Sequence, residues 1–198
     1  AQLLEKIIAY EAVHAITDWD DLRQRVAAPD RCLYAFFHPA MPSEPLIFVE
    51  VALTTNIPNA IAPILDNARD PIDPNVATTA VFYSISNCQK GLRGISFGNF
   101  LIKQVVSELQ KDFATLKKFV TLSPVPGLRK WAEQALEEGT LPVPIEDLPD
   151  DMPQDMVKNL AAYYLLQASR NTGTALDSVA HFHLGNGDEY VGYFVRNK

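Results

Sequence analysis

The stretch that most constrains this chain is a strand–loop–helix–strand unit over residues 78–124. Its first element, Thr79-Ala-Val-Phe-Tyr-Ser-Ile-Ser86, is an apolar, β-branched and aromatic run of the kind that sits inside a sheet. A loop rich in glycine and polar residues follows at 87–98. Residues 99–113 then carry Phe100, Leu101, Val105, Leu109 and Phe113 near helical spacing, which predicts an amphipathic helix. A second short apolar run, residues 119–123, stops at Pro124-Val-Pro126-Gly127, where neither a helix nor a central strand continues. A glycine loop feeding a helix N-terminus gathers free backbone N–H groups at the positive end of the helix dipole, where a phosphate can sit. A serine at the end of the next parallel strand, here Ser123, would lie close to that spot.

The other segments supply the partners of this unit. Residues 2–10 read as a short helix. Thr17 or Asp18 caps a second one, with acidic residues in its first turn, that runs to Pro29. Residues 31–37 and 46–53 form an antiparallel hairpin joined by a proline-rich connection at 38–45. Residues 57–65 read as a short helix or helical turn interrupted by Pro63, and 66–75 as a polar loop. After Gly127 come a helix over 128–138, an acidic, proline-rich linker over 139–154 too poor in apolar residues to fold alone, and a helix over 155–169. Asn171-Thr-Gly173 ends that helix, and Gly185-Asn186-Gly187 is a tight-turn signal before a last strand at 190–195. The fold class is α+β: a mixed central sheet flanked by helices.

Composition narrows the function. A net charge of −7 from 17 Lys+Arg against 24 Asp+Glu argues against a nucleic-acid partner, which calls for a basic face. It leaves room for an anionic small ligand held by local donors. Two cysteines, Cys32 and Cys88, make no disulfide framework, so a cytoplasmic location is expected, with an organelle left open. No run of about 18 apolar residues exists, so no membrane partner is expected.

On the residues alone, the chemistry stays open. Arg93-Gly94-Ile95-Ser96-Phe97-Gly98 is neither a dinucleotide-binding glycine fingerprint nor a P-loop. It reads either as a plain strand-to-helix turn or as a cradle in which Gly94 and Gly98 admit a pyrophosphate and Lys90 and Arg93 add charge. Ser123 reads either as a strand-ending serine or as a reactive group in need of a base. Of the four histidines, His181 and His183 would share one face if their segment were a strand. No partner set at metal spacing accompanies them, so no metal is expected; a single histidine acting as acid, base or hydrogen-bond donor fits better.

A series of longer motifs carries a resemblance. They are Glu11-Ala-Val-His14 with Trp19, Ala40-Met-Pro-Ser-Glu-Pro-Leu46, Val51-Ala-Leu-Thr54, Phe82-Tyr-Ser-Ile-Ser86, the stretch from Gln89 to Lys103, Leu122-Ser-Pro-Val-Pro-Gly127 and Phe182-His-Leu-Gly-Asn-Gly187. In this order they resemble the catalytic domain of the malonyl-CoA decarboxylases. The resemblance implies a GNAT-like acyltransferase fold and the conversion of malonyl-CoA to acetyl-CoA and CO2. By it, Arg93, Gly94, Ile95, Ser96, Phe97, Gly98 and Asn99 form the CoA-binding loop, Ser123 is the catalytic serine and His183 the catalytic histidine. No cofactor is implied, because the thioester is itself the electron sink. The partners implied are malonyl-CoA and acetyl-CoA, and a homo-oligomer is the expected assembly. The alternative is a GNAT-like acyltransferase that moves an acyl group from CoA to a carrier protein or an amine; a third reading is a non-catalytic acyl-CoA binding module.

The chain also departs from the family pattern. An all-helical domain precedes the family's catalytic domain, so residues 1–16 are read as its remnant or a linker, and 17–198 as the catalytic domain. The segment between the serine and histidine motifs is shorter than usual. After Gly187 the family continues through a further strand, so the C-terminal part is expected to be incomplete.

Overall fold

The structure, a computed structural model, describes residues 2–92, 98–145, 147–149, 152–168 and 176–185. It divides into two compact units, Ala1–Ser123 and Pro124–Lys198. The first holds helices α1 (Gln2–Tyr10), α2 (Trp19–Ala27), α3 (Ala62–Leu65) and α4 (Gly98–Asp112) and strands β1 (Arg31–His38), β2 (Met41–Thr54), β3 (Thr79–Asn87) and β4 (Lys118–Thr121). The second holds α5 (Leu128–Glu137), α6 (Gln154–Leu166) and α7 (Ser178–Gly185).

The sheet of the first unit is mixed, in the order β1-β2-β3-β4. The first two pairings are antiparallel and β3–β4 is parallel, as a helical crossover between consecutive strands requires. Strand β2 is central and covered on both faces, which is why Leu46 to Leu53 is an almost unbroken apolar run. Its alternate residues Ile47, Val49, Val51 and Leu53 pack with Ala80 and Phe82 against Leu101, Val105 and Leu109 of α4. On the opposite face Phe48 packs with Ile7 of α1, with Leu22 of α2 and with Ile16 between these helices. Residues 2–10 thus add a buried side chain, Ile7, to the core of this unit. Asp18 starts α2 as expected: its side chain accepts from the Asp21 amide at 2.8 Å.

One buried carboxylate ties the hairpin to the loop that precedes β3. Asp30, at the entry to β1, accepts both Arg69 guanidinium nitrogens at 2.6 and 3.0 Å and the Ile72 amide at 3.2 Å. Charge-assisted, forked bonds of this kind fix a segment that has little apolar packing of its own.

Several expectations are corrected. The proline-rich connection is mostly strand: β2 begins at Met41. Its prolines are tolerated because pairing with β3 begins only at Ile47, so Pro42 and Pro45 lie where β2 has a neighbour on one side. Of the short helix or helical turn expected over 57–65, the structure forms the turn, Ala62–Leu65. The linker after α5 is not bare of apolar packing: Leu141, Val143, Ile145, Leu148 and Met152 pack on the second unit's core beside Ala132 and Leu160. The segment holding His181 and His183 is helical, not extended. The strand expected at 190–195 and the turn residues Asn186 and Gly187 lie outside the described residues.

In the second unit Trp131 of α5 lies against two α6 side chains, stacked on Tyr163 at 5.8 Å and tilted to Tyr164 at 5.2 Å between ring centroids. Helix α5 ends at Gly139, whose φ of 66° is the left-handed conformation in which the Thr140 amide reaches back to the Ala135 carbonyl at 2.8 Å.

Candidate active site

Strands β3 and β4 stay paired over only part of β3. Their parallel pairing runs from Thr79 and Lys118 to Phe82 and Thr121. One more bond follows, from the Leu122 amide to the Phe82 carbonyl at 2.9 Å. Strand β3 continues to Asn87, still paired with β2, whereas β4 ends at Thr121. Ser123, half-buried, is the second residue beyond β4, so it emerges where the two strands diverge.

At the same point β3 is bulged. Glu50 pairs with Ser84, but Val51 pairs with Phe82, leaving Tyr83 as the extra residue. The bulge puts Tyr83 and Ser84 on the side that faces the segment between α1 and α2. Ser84 Oγ donates to Glu11 at 2.7 Å and Ser86 Oγ donates to the same carboxylate at 3.2 Å. Glu11 also accepts the Val13 and His14 amides at 2.8 and 2.7 Å. The Glu11-Ala-Val-His14 motif is therefore a tight turn fastened to the bulged strand. His14 lies 6.4 Å from Tyr83, ring to ring, and its burial lowers its affinity for a proton despite the Glu11 charge beside it.

Beneath the bulge lies Glu50, fully buried. Among the described residues, neither of its carboxylate oxygens, nor Tyr83 Oη, nor His14 Nε2 has a hydrogen-bond partner. Burial, then the neighbouring Glu11 charge, pushes the Glu50 carboxyl up to about 7. Arg25 opposes this from 3.6 Å. Its closer bonds go to Asp21 at 2.8 Å and to the His14 and Ala15 carbonyls at 2.8 and 3.2 Å, so it neutralises Glu50 only in part.

The sequence-predicted residues fall as follows. Arg93, Gly94, Ile95, Ser96 and Phe97 lie outside the described residues. Gly98 and Asn99 open α4, so the predicted loop feeds a helix of 15 residues at its N-terminus. Ser123 closes the first unit, and His183 belongs to the second. His183 sits in the last turn of α7 and is buried, while His181 is exposed. Two residues apart on a helix they point to different sides, where a strand would have aligned them. Edge-on contact with Phe182, 5.1 Å between ring centroids, accompanies the burial of His183.

Helix α7 is held at its start by Asp177. Oδ1 accepts the Val179 and Ala180 amides at 2.8 and 3.0 Å, and Oδ2 accepts the Tyr164 hydroxyl at 3.2 Å. Gly127, the last residue of the Leu-Ser-Pro-Val-Pro-Gly motif, packs against that pair. Glu11, Ser84, Ser86 and Gly127 lie in motifs that carried the resemblance, but sequence assigned them no role, and it did not point to Glu50, Tyr164 or Asp177. The available signals were polar residues at alternate positions of an apolar strand and an aspartate six residues before the histidine.

Comparison with known proteins accounts for these motifs. The family model described as "Malonyl-CoA decarboxylase C-terminal domain" matches residues 1–148 and 142–191. The chain is 37% identical to a protein of Anser anser anser named "Malonyl-CoA decarboxylase, mitochondrial" over 225 residues, 95% of this chain and 44% of that one. The rat protein of the same name is 36% identical over 94% of this chain and 45% of its own length. The chain thus spans less than half the length of these relatives. An aligned stretch of 225 residues exceeds the 198 of the chain, so the relative carries residues with no counterpart here. Among solved structures, malonyl-CoA decarboxylase from Agrobacterium vitis superposes with a TM-score of 0.86 at 50% identity, over 94% of this chain and 50% of that one. The Rhodopseudomonas palustris enzyme gives 0.78 at 55% identity, over 93% and 49%. By sequence and by fold, the chain belongs to the malonyl-CoA decarboxylase family and corresponds to its C-terminal domain.

Proposed function

We propose that this domain decarboxylates malonyl-CoA, with Ser123 and His183 as its catalytic side chains. The observation that carries the reading is Ser123 emerging where parallel β3 and β4 part, in a chain of this family. Strand β3 runs on to Asn87 beyond the end of its parallel partner β4 at Thr121, and this arrangement is compatible with the GNAT-like label. The predicted loop, Arg93 to Asn99, would hold the CoA pyrophosphate at the start of α4, where helix dipole and unpaired amides favour an anion.

In the reaction the bond between the malonyl Cα and its carboxylate carbon breaks. The electron pair moves into the thioester as an enolate, and CO2 leaves. Donors aimed at the thioester oxygen stabilise the enolate; losing one such donor typically adds roughly 2.7–4 kcal/mol to a barrier. A proton from His183, replenished from solvent, then converts the enolate carbon to the methyl group of acetyl-CoA. The thioester takes up the electron pair, so this chemistry asks for no cofactor. A homo-oligomeric assembly and a cytoplasmic setting belong to the same proposal. Among the described residues no helix is long and apolar enough to cross a membrane.

Incubation with malonyl-CoA followed by mass analysis tests the reading. Acetyl-CoA with CO2 supports it; transfer of the acyl group to a carrier supports the acyltransferase alternative instead. Ser123→Ala and His183→Ala are each expected to lower turnover by at least about 100-fold. Near-native turnover with the fold intact in either variant refutes that residue's role.

A further inference from the structure

The Ser178–Gly185 helix is only eight residues long, too short to hold its shape without tertiary support. Its inward face carries Asp177, Ala180 and His183, spaced three apart, with 3%, 0% and 7% of their surface exposed. The support therefore comes at two places, through packing at Ala180 and through the buried aspartate that starts the helix.

That aspartate is engaged on both oxygens. Oδ1 holds the first free amides of the helix, and Oδ2 takes the hydroxyl of Tyr164, itself buried on α6. Gly127 forms the third side. A Cβ at position 127 would run into the Tyr164 hydroxyl oxygen and stand 3.3 Å from both Asp177 Oδ2 and Tyr164 Cζ. The backbone φ of Gly127 is −84°, which any residue can adopt, so the glycine is required by space and not by conformation.

We propose that Gly127, Tyr164 and Asp177 form a clamp that positions His183, with Tyr164 and Asp177 acting as positioning residues for the decarboxylation. This rests on the reading of His183 as the proton donor. The clamp sets the rotation and depth of a short helix with the imidazole at its far end. The glycine that closes the Leu-Ser-Pro-Val-Pro-Gly motif is then a steric requirement of the tyrosine.

Four variants test this: Tyr164→Phe, Gly127→Ala, the double variant, and Asp177→Asn. Two readouts are used. One is the ring NMR spectrum of the four histidines, with His183 assigned by its loss in His183→Gln. The other is kcat and KM for malonyl-CoA. Tyr164→Phe is expected to move or broaden the His183 ring signals, leave those of His14 and His38 in place, and lower kcat about 10-fold with little change in KM. Gly127→Ala is expected to lower kcat about 100-fold, the scale of a misplaced catalytic group. The double variant is expected to fall close to Tyr164→Phe alone, because removing the hydroxyl removes the severe clash and leaves two 3.3 Å contacts that a small shift of the ring relieves. Asparagine keeps an acceptor for the helix amides but presents a donor to the Tyr164 hydroxyl, which must then accept instead of donate. Asp177→Asn is therefore expected to lose no more than Tyr164→Phe, and a larger loss in the folded variant overturns the clamp. Unmoved His183 signals in folded Tyr164→Phe, or losses that multiply in the double variant, overturn the clamp. Signals that move while kcat does not leave the clamp standing and refute the catalytic role of His183.

Discussion

Glu50→Gln should stabilise the first unit, and increasingly so as pH rises. Glu50 is fully buried, its oxygens have no hydrogen-bond partner among the described residues, and its carboxyl titrates at about 7 against an ordinary 4.5. At 1.36 kcal/mol per pH unit, that difference corresponds to about 3 kcal/mol. Between pH 4.5 and 7 the folded protein keeps this proton while the unfolded chain has lost it. Stability from this group therefore falls as pH rises through that window, and the whole penalty is present above about pH 7. Glutamine has nearly the same shape and cannot ionise. The stability difference between Glu50→Gln and the parent should thus grow by about 3 kcal/mol from pH 4 to pH 8, as an upper bound. Urea unfolding followed by Trp19 fluorescence in a Trp131→Phe background reads the first unit alone, since Trp19 and Trp131 are the two tryptophans and lie in different units. A difference that is flat with pH, or that turns against glutamine at high pH, refutes the reasoning. The second result would mean that the 3.6 Å pairing with Arg25 outweighs burial and holds Glu50 ionised.

Two other perturbations follow from the same structure. Asp30→Ala leaves the Arg69 guanidinium beside a buried void and removes the acceptor of the Ile72 amide, and should cost about 3–5 kcal/mol in urea unfolding; a loss below about 1 kcal/mol would mean that the loop is held by other contacts. Gly98→Val, at the first position of α4, should weaken CoA binding in calorimetric titration by crowding the backbone of the proposed phosphate cradle, and an unchanged dissociation constant for CoA would refute that reading.

Much of the fold was legible because its local signals agree. The apolar runs at residues 31–37, 46–53 and 79–86 became strands, and the helical spacing of Leu101, Val105 and Leu109 became the buried face of α4. Asp18 marked a helix start because a capping aspartate acts over three residues and needs nothing distant. The longer motifs carried the family, since a match over most of the chain does not depend on any one element.

Tertiary structure decided the rest. Pro42 and Pro45 spoke for a loop, yet they lie in β2, because a proline's missing N–H is harmless where the strand has a neighbour on one side only. His181-Phe-His183 fits a strand and a helix equally well by composition. The buried cap at Asp177 and the packing at Ala180 make it a helix, and that places one imidazole inside and the other in solvent. Sequence by itself determined the strand-to-helix crossover that forces β3 and β4 to run parallel, and the family to which they belong. Only the folded chain determined where those strands part. The bulge at Tyr83 that turns Ser84 toward Glu11 and buries Glu50 beneath it is a matter of register between residues more than thirty positions apart, and local propensity carries no record of it.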